Sequence, residues 1–176
     1  NTWSTSLLNK TNLNTNFITN IGTEWANKIA TTTWKVGGNT LENISKVVPA
    51  TTYQNEIVNP VTTNTTEYPA KIGLMYASDY GFAADPSAWT KTLWDYDGSV
   101  NGSTIRSLNW LHNGGSREWI ISRDSSSVTS VFSVTASGFV SSPNASNTYG
   151  VRPSFNLVAS TTYASGDGTA SSPIRI

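Results

Sequence analysis

The chain has 176 residues, zero net charge and only 12% charged residues, which allows one substantial core and excludes electrostatic capture of nucleic acid or of an anionic membrane surface. It has no cysteine, hence no disulfide, thiolate nucleophile or cysteine zinc site. Seven Trp, seven Tyr and five Phe carry enough apolar area to exclude disorder. Solubility rests on Ser, Thr and Asn, more than a third of the chain, a composition common in exported proteins. No apolar run approaches the roughly 20 residues that span a bilayer. Because the first residue is Asn and not Met, a processed or truncated product is expected, with any export signal or anchor upstream.

Over residues 5–21, Leu13, Phe17 and Ile21 recur every fourth position with Ile18 beside them, a helical stripe despite many Asn and Thr. A second short helix is expected after Gly22, with Thr23 as its cap and Trp25 and Ile29 on one face. Trp34 and Val36 then lie on a strand that follows Thr31–Thr33 and stops at Gly37-Gly38. Residues 39–67 read as a long excursion with little regular structure. Lys71-Ile-Gly-Leu-Met-Tyr76 is a continuous apolar run of strand length, placed centrally in a sheet. Asp85-Pro86 opens one turn of helix carrying Trp89, residues 95–102 form a turn-rich loop, and Ile105–Leu111 is apolar enough to lie inside.

Four strands follow: Trp119–Ser122, Val131–Thr135, Phe139–Ser141 and Val151–Val158. Ala136-Ser137-Gly138 is a tight hairpin turn. The alternation predicts Phe132, Val134, Phe155 and Leu157 buried. Two N-terminal helices before a small, twisted antiparallel sheet with long loops is an α+β plan, here a single domain over residues 1–176.

Those residues also carry a family resemblance. Trp119-Ile-Ile-Ser-Arg123, the glycine hairpin Val134–Val140, the closing Gly150-Val-Arg-Pro153 and the run from Lys71 to Phe82 resemble bacterial surface-protein domains of unassigned function, found in Gram-positive bacteria and often behind a prepilin-like anchor. These are similar to the C-type lectin-like fold, shared by formylglycine-generating enzymes and by hypervariable binding proteins of phages and bacteria. The resemblance covers residues 3–176 and is most specific in the final third. It implies a non-catalytic extracellular domain on a bacterial cell surface that binds or displays, adhesion to a glycan or protein ligand being the expected role. The alternative is the globular part of a type IV pilus-like filament subunit that self-assembles. Strands expected before the first helix are missing from this chain, and membrane attachment would run through a missing N-terminal anchor.

Enzyme chemistry finds little footing. His112 is the lone histidine, no serine stands in a Gly-x-Ser-x-Gly elbow, and the formylglycine-generating reaction needs cysteines. Asp95-Tyr-Asp97-Gly-Ser-Val-Asn101 places oxygen ligands at alternate positions, so Asp95, Asp97 and Asn101 are candidate calcium ligands. The closing glutamate of an EF-hand is absent, and the same residues make ordinary turns. Trp89, Trp94, Tyr96 and Trp110 form a candidate sugar-stacking platform, with core packing as the competing role. Arg123 and Arg152 are assigned structural roles, tying strand-end carbonyls or carboxylates through the guanidinium fork, with an anion site as the alternative. Any ligand site is expected on residues 79–116, on the loops and not on the sheet.

Overall fold

The N-terminal apolar stripe becomes one nearly continuous helical stretch in the computed structural model, which describes residues 2–58, 66–99, 104–169 and 171–176. After a 3-10 turn at Trp3–Thr5, residues Leu8–Phe17 wind as a π-helix, which passes into α1 (Ile18–Asn20) and, across Gly22 at φ +84°, into α2 (Gly22–Lys28). π-Helical winding is rare beyond a single turn. Here polar side chains support it: Asn14 Nδ2 and Thr15 Oγ1 donate to the carbonyls five residues back, of Asn9 and Lys10. The Asn14 amide also donates to the Ile72 carbonyl and accepts from the Ile72 N–H, both at 2.9 Å, so that one side chain pairs with an extended segment as a strand would. Ile29, just past α2, is buried, whereas Trp25 is exposed with Lys28 Nζ over its ring.

The described residues hold six α-helical segments and two small antiparallel sheets. In the first sheet β1 (Thr32–Val36) pairs with β2 (Thr66–Ala70), Trp34 opposite Tyr68. The second has the order β3 (Glu118–Arg123), β4 (Val131–Val134), β5 (Val140–Ser141), with a register shift between Trp119 and Arg123 that marks a bulge in β3. Gly138 makes the β4–β5 turn at φ +103°, where a Cβ would stand 2.8 Å from the Tyr96 carbonyl oxygen.

β3 stands between two apolar clusters. Ile120 packs with Tyr80, Leu93, Tyr96, Phe132, Val134 and Val140, while its neighbours Trp119 and Ile121 pack with Trp3, Leu13, Ile29, Trp34, Val36, Ile72 and Leu74. Alternate side chains point to opposite faces of a strand, so one buried on both sides reads as an unbroken apolar run. Phe132 and Val134 are buried, as the alternation in β4 requires.

Three expectations need correction. Residues 39–67 contain regular structure: α3 (Leu41–Ile44) is capped by the Thr40 hydroxyl, which accepts from Asn43 N–H, and α4 (Pro49–Tyr53) starts on Pro49 and runs into a π-turn over Gln54–Val58. The run from Lys71 to Tyr76 is buried but is not a strand. Among the described residues, only Gly73 of this run forms a β-bridge, exchanging hydrogen bonds of 2.8 and 2.9 Å with Ser154, and a Cβ on Gly73 would lie 2.6 Å from the Trp34 ring. Residues 151–158 are likewise not a strand. Isolated bridges join Gly150 to Glu118, Ser154 to Gly73 and Leu157 to Ile29, so this segment staples three distant parts of the chain. Phe155 and Leu157, expected inside, are each 39% exposed. Alternation fixes that two residues share a face but not which face another layer covers.

Candidate functional site

Residues 79–99 and 104–116 are tied to α5 (Ala77–Phe82) by hydrogen bonds from Tyr96, Asn109 and Trp110 to the Gly81, Tyr80 and Ala83 carbonyls. Tyr76 has extended backbone before the helix, and Asp79 Oδ2 accepts its N–H at 2.8 Å, closing the first turn. Burial raises the Asp79 pKa above the ordinary aspartate value, with the Tyr76 N–H opposing. Ala77, Ser78, Tyr80 and Gly81 turn inward, leaving Asp79 and Phe82, three residues apart, on the open face. The chain then doubles back over Phe82. Asp85 Oδ1 accepts from the Ser87 N–H and starts a 3-10 turn at Pro86–Ala88, placing Trp89 edge-on to Phe82 with ring centroids 5.3 Å apart. Trp89 Nε1 is fixed on the Ala84 carbonyl and Trp110 N–H on the Ala83 carbonyl.

Asp79, Phe82, Trp110, Leu111 and Ser154 line a shallow concavity of about 380 Å³. Trp110 is 78% exposed, and Phe82 in the same lining and Trp89 packed on Phe82 are also exposed. Of the four expected stacking residues, Trp110 alone lines this concavity, while Trp89 packs edge-on against the Phe82 that lines it. Trp94 is exposed but packs on Phe139, ring centroids 4.9 Å apart. Tyr96 is fully buried, its hydroxyl donating to the Gly81 carbonyl at 2.8 Å, and its place on the platform is corrected to the core. Phe82 escaped the sequence reading because it closes an apolar run. Its i,i+3 spacing from the capping residue Asp79 is the signal that turns it outward.

The two aspartates of the expected calcium loop each close a turn. Asp95 Oδ2 accepts from the N–H and hydroxyl of Thr92, and Asp97 Oδ1 from the N–H and hydroxyl of Ser99. Burial opposes ionisation of Asp97, but the Ser99 and Ser137 hydrogen bonds and the Arg106 charge outweigh it and hold the pKa below the ordinary value. Asn101 lies outside the described residues. Among the described residues no three His, Cys, Asp or Glu side chains gather as metal ligands. His112 lies within hydrogen-bonding distance of the Ala136 carbonyl at 3.2 Å, and burial lowers its pKa.

The two arginines differ. Arg152 Nη2 donates to Glu118 Oε2 at 2.8 Å, and Asn113 Nδ2 donates to Glu118 Oε1, tying the segment before Pro153 to a buried carboxylate of β3. Arg123 has no such partner: its Nε–H is buried with no acceptor, and among the described residues it makes no ion pair. The adjacent Asp124 carboxylate is taken by Ser126 and Ser142.

A further polar centre, Glu56, sits inside the excursion read as irregular. It is fully buried and accepts from Ser78 N–H at 2.8 Å, Ser122 Oγ at 2.9 Å and Asn39 Nδ2 at 3.2 Å, linking α5, β3 and the segment after β1. Burial pushes its pKa up to about 7, the serine hydrogen bonds opposing. No known protein family, curated protein or solved structure matches the chain.

Proposed function

We propose that this chain is a non-catalytic, extracellular binding domain of C-type lectin-like architecture from a bacterial cell surface, and that it takes a glycan at the Phe82–Trp110 concavity. The observation that carries this reading is Trp110, 78% exposed on the rim of a hollow that also contains Phe82 and the Asp79 carboxylate. An aromatic face packs on the C–H face of a pyranose, and a carboxylate beside it accepts from sugar hydroxyls. A few fixed polar groups on an apolar floor are the usual make-up of a small-molecule site. A large indole left in water by a chain that buries Tyr80 and Tyr96 alongside it has no packing role to explain it. The mixed α and β composition with small antiparallel sheets, the loop-borne aromatics and the neutral Ser, Thr and Asn surface support the architecture and the location.

The test is a glycan array probed with and without calcium, followed by titration of the best glycan against wild type and Trp110→Ala. Binding weakened about tenfold or more by Trp110→Ala, with unchanged melting temperature, is expected. A glycan bound equally well by the variant moves the site elsewhere. An array empty in both conditions ends the glycan reading and returns the chain to display or filament roles.

A further inference from the structure

A second cavity, sharing no lining residue with the aromatic hollow, lies on the other apolar cluster. It measures about 170 Å³, and its walls include Leu8, Val36, Leu74, Ile121 and Val131 with the Trp119 ring. Cavities of roughly 150 Å³ lined by such side chains hold benzene. Two of its lining residues are unusual for an apolar hole. Trp3, 7% exposed, carries a buried indole N–H with no acceptor, and Arg123 carries a buried Nε–H with no acceptor.

Each orphan donor has a cost. A buried N–H without an acceptor forfeits the hydrogen bond it had in water, and Arg123, half-buried, brings a positive charge to the cavity wall with no ion pair among the described residues. The chain has carboxylates within reach in sequence but deploys them elsewhere, Asp124 on Ser126 and Ser142, Glu118 on Arg152. Two donors and a positive charge, on walls that apart from Ser6, whose hydroxyl is held by the Trp3 carbonyl and the Asn9 N–H, are apolar, are complementary to a ligand with an anionic acceptor at one end and a hydrocarbon body at the other.

We infer that this cavity is a binding site for a small apolar monocarboxylate, its carboxylate received by Arg123 and the Trp3 indole N–H and its phenyl or branched aliphatic body by the Leu8, Leu74 and Val131 walls. The volume admits a body of about six carbons, the size of phenylacetate or 4-methylpentanoate. The fork geometry of Arg123 favours a planar carboxylate over a spherical anion. The two N–H donors are already in place without acceptors, so binding satisfies groups the folded protein leaves unsatisfied.

The experiment uses the whole chain, with phenylacetate and its neutral isostere phenylacetamide as probes, read by calorimetry and by the indole and Arg Nε–H resonances in NMR. Saturable binding of phenylacetate is expected, with a shift of one indole N–H that is missing from Trp3→Phe. The amide should bind at least about tenfold more weakly, the value of one charge-assisted hydrogen bond. Arg123→Met should erase that preference while keeping the melting temperature, since one orphan buried N–H is removed and a side chain of similar length remains. Should Arg123→Met fail to fold, the carboxylate-to-amide ratio on wild type decides alone. No binding of phenylacetate at millimolar concentration, equal affinity for acid and amide, or unchanged affinity in a folded Arg123→Met protein would each overturn the assignment.

Discussion

Replacing Glu56 by glutamine tests the buried polar centre directly. The carboxyl is raised from 4.5 to about 7, with desolvation as the main cause. A folded-state pKa above the unfolded one means that the native protein holds a proton that the unfolded chain releases. The resulting stabilisation is fully present below about pH 4.5 and is lost as pH rises through about 7. At 1.36 kcal/mol per unit, the rise corresponds to about 3 kcal/mol. The amide of the Glu56→Gln variant fills the same volume and does not titrate, so the variant's stability relative to wild type should improve by about 3 kcal/mol between pH 4.5 and pH 8. Urea titrations followed by tryptophan fluorescence at several pH values give both curves. His112, lowered by burial, titrates in both proteins and cancels in the difference, whereas the Asp79 charge helps to raise Glu56 and is part of the effect measured. A gap between the two proteins that changes by less than about 1 kcal/mol over this range would refute the reasoning, because Glu56 would then carry no differential proton.

Phe132→Ala should cost about 3–5 kcal/mol in the same titration, whereas Phe155→Ala, at a position 39% exposed, should cost under about 1.5 kcal/mol; equal losses would place both in the core. Arg152→Met leaves the buried Glu118 with only Asn113 and should destabilise by about 1–3 kcal/mol, a loss that Glu118→Gln in the same chain partly restores. Gly73→Ala drives a methyl against the Trp34 ring and should cost about 1–3 kcal/mol; a neutral change in melting temperature would show that the indole moves freely. Trp110→Ala should leave stability within about 0.5 kcal/mol of wild type.

The sequence made the fold legible where one physical signal dominated. Trp34 and Val36 on β1, the β3 run, the Gly138 hairpin and the Asp85-Pro86 turn each follow from local chemistry: alternation, a glycine at positive φ, a capping carboxylate before proline. The misses arise where tertiary partners decide. The run from Ile72 to Tyr76 has strand composition, but Asn14 and Ser154 take its backbone groups one residue at a time, so no ladder forms. Phe155 and Leu157 alternate correctly and still face water because no layer covers them. Residues 39–58 looked featureless because Asn and Thr mask helices held by a Thr40 cap and by the buried Glu56. At the candidate site, Trp89 and Trp110 were visible as residue types, but the packing of Trp89 on Phe82 and the place of Trp110 in the concavity depend on how the chain turns after α5. Tyr96 carried the same outward promise and went into the core.

The position of β3 has a consequence for how the molecule comes apart. Its alternate side chains belong to two different apolar clusters, and its Ile121 and Trp119 amides bond to the Met75 and Gly150 carbonyls, outside its own sheet. Neither cluster can open while the other stays shut, because the wall they share would be stripped on one side. Denaturation should therefore be cooperative, with one midpoint for probes in either cluster. In deuterated water, the β3 amides should exchange last, only through molecules that have lost their structure altogether.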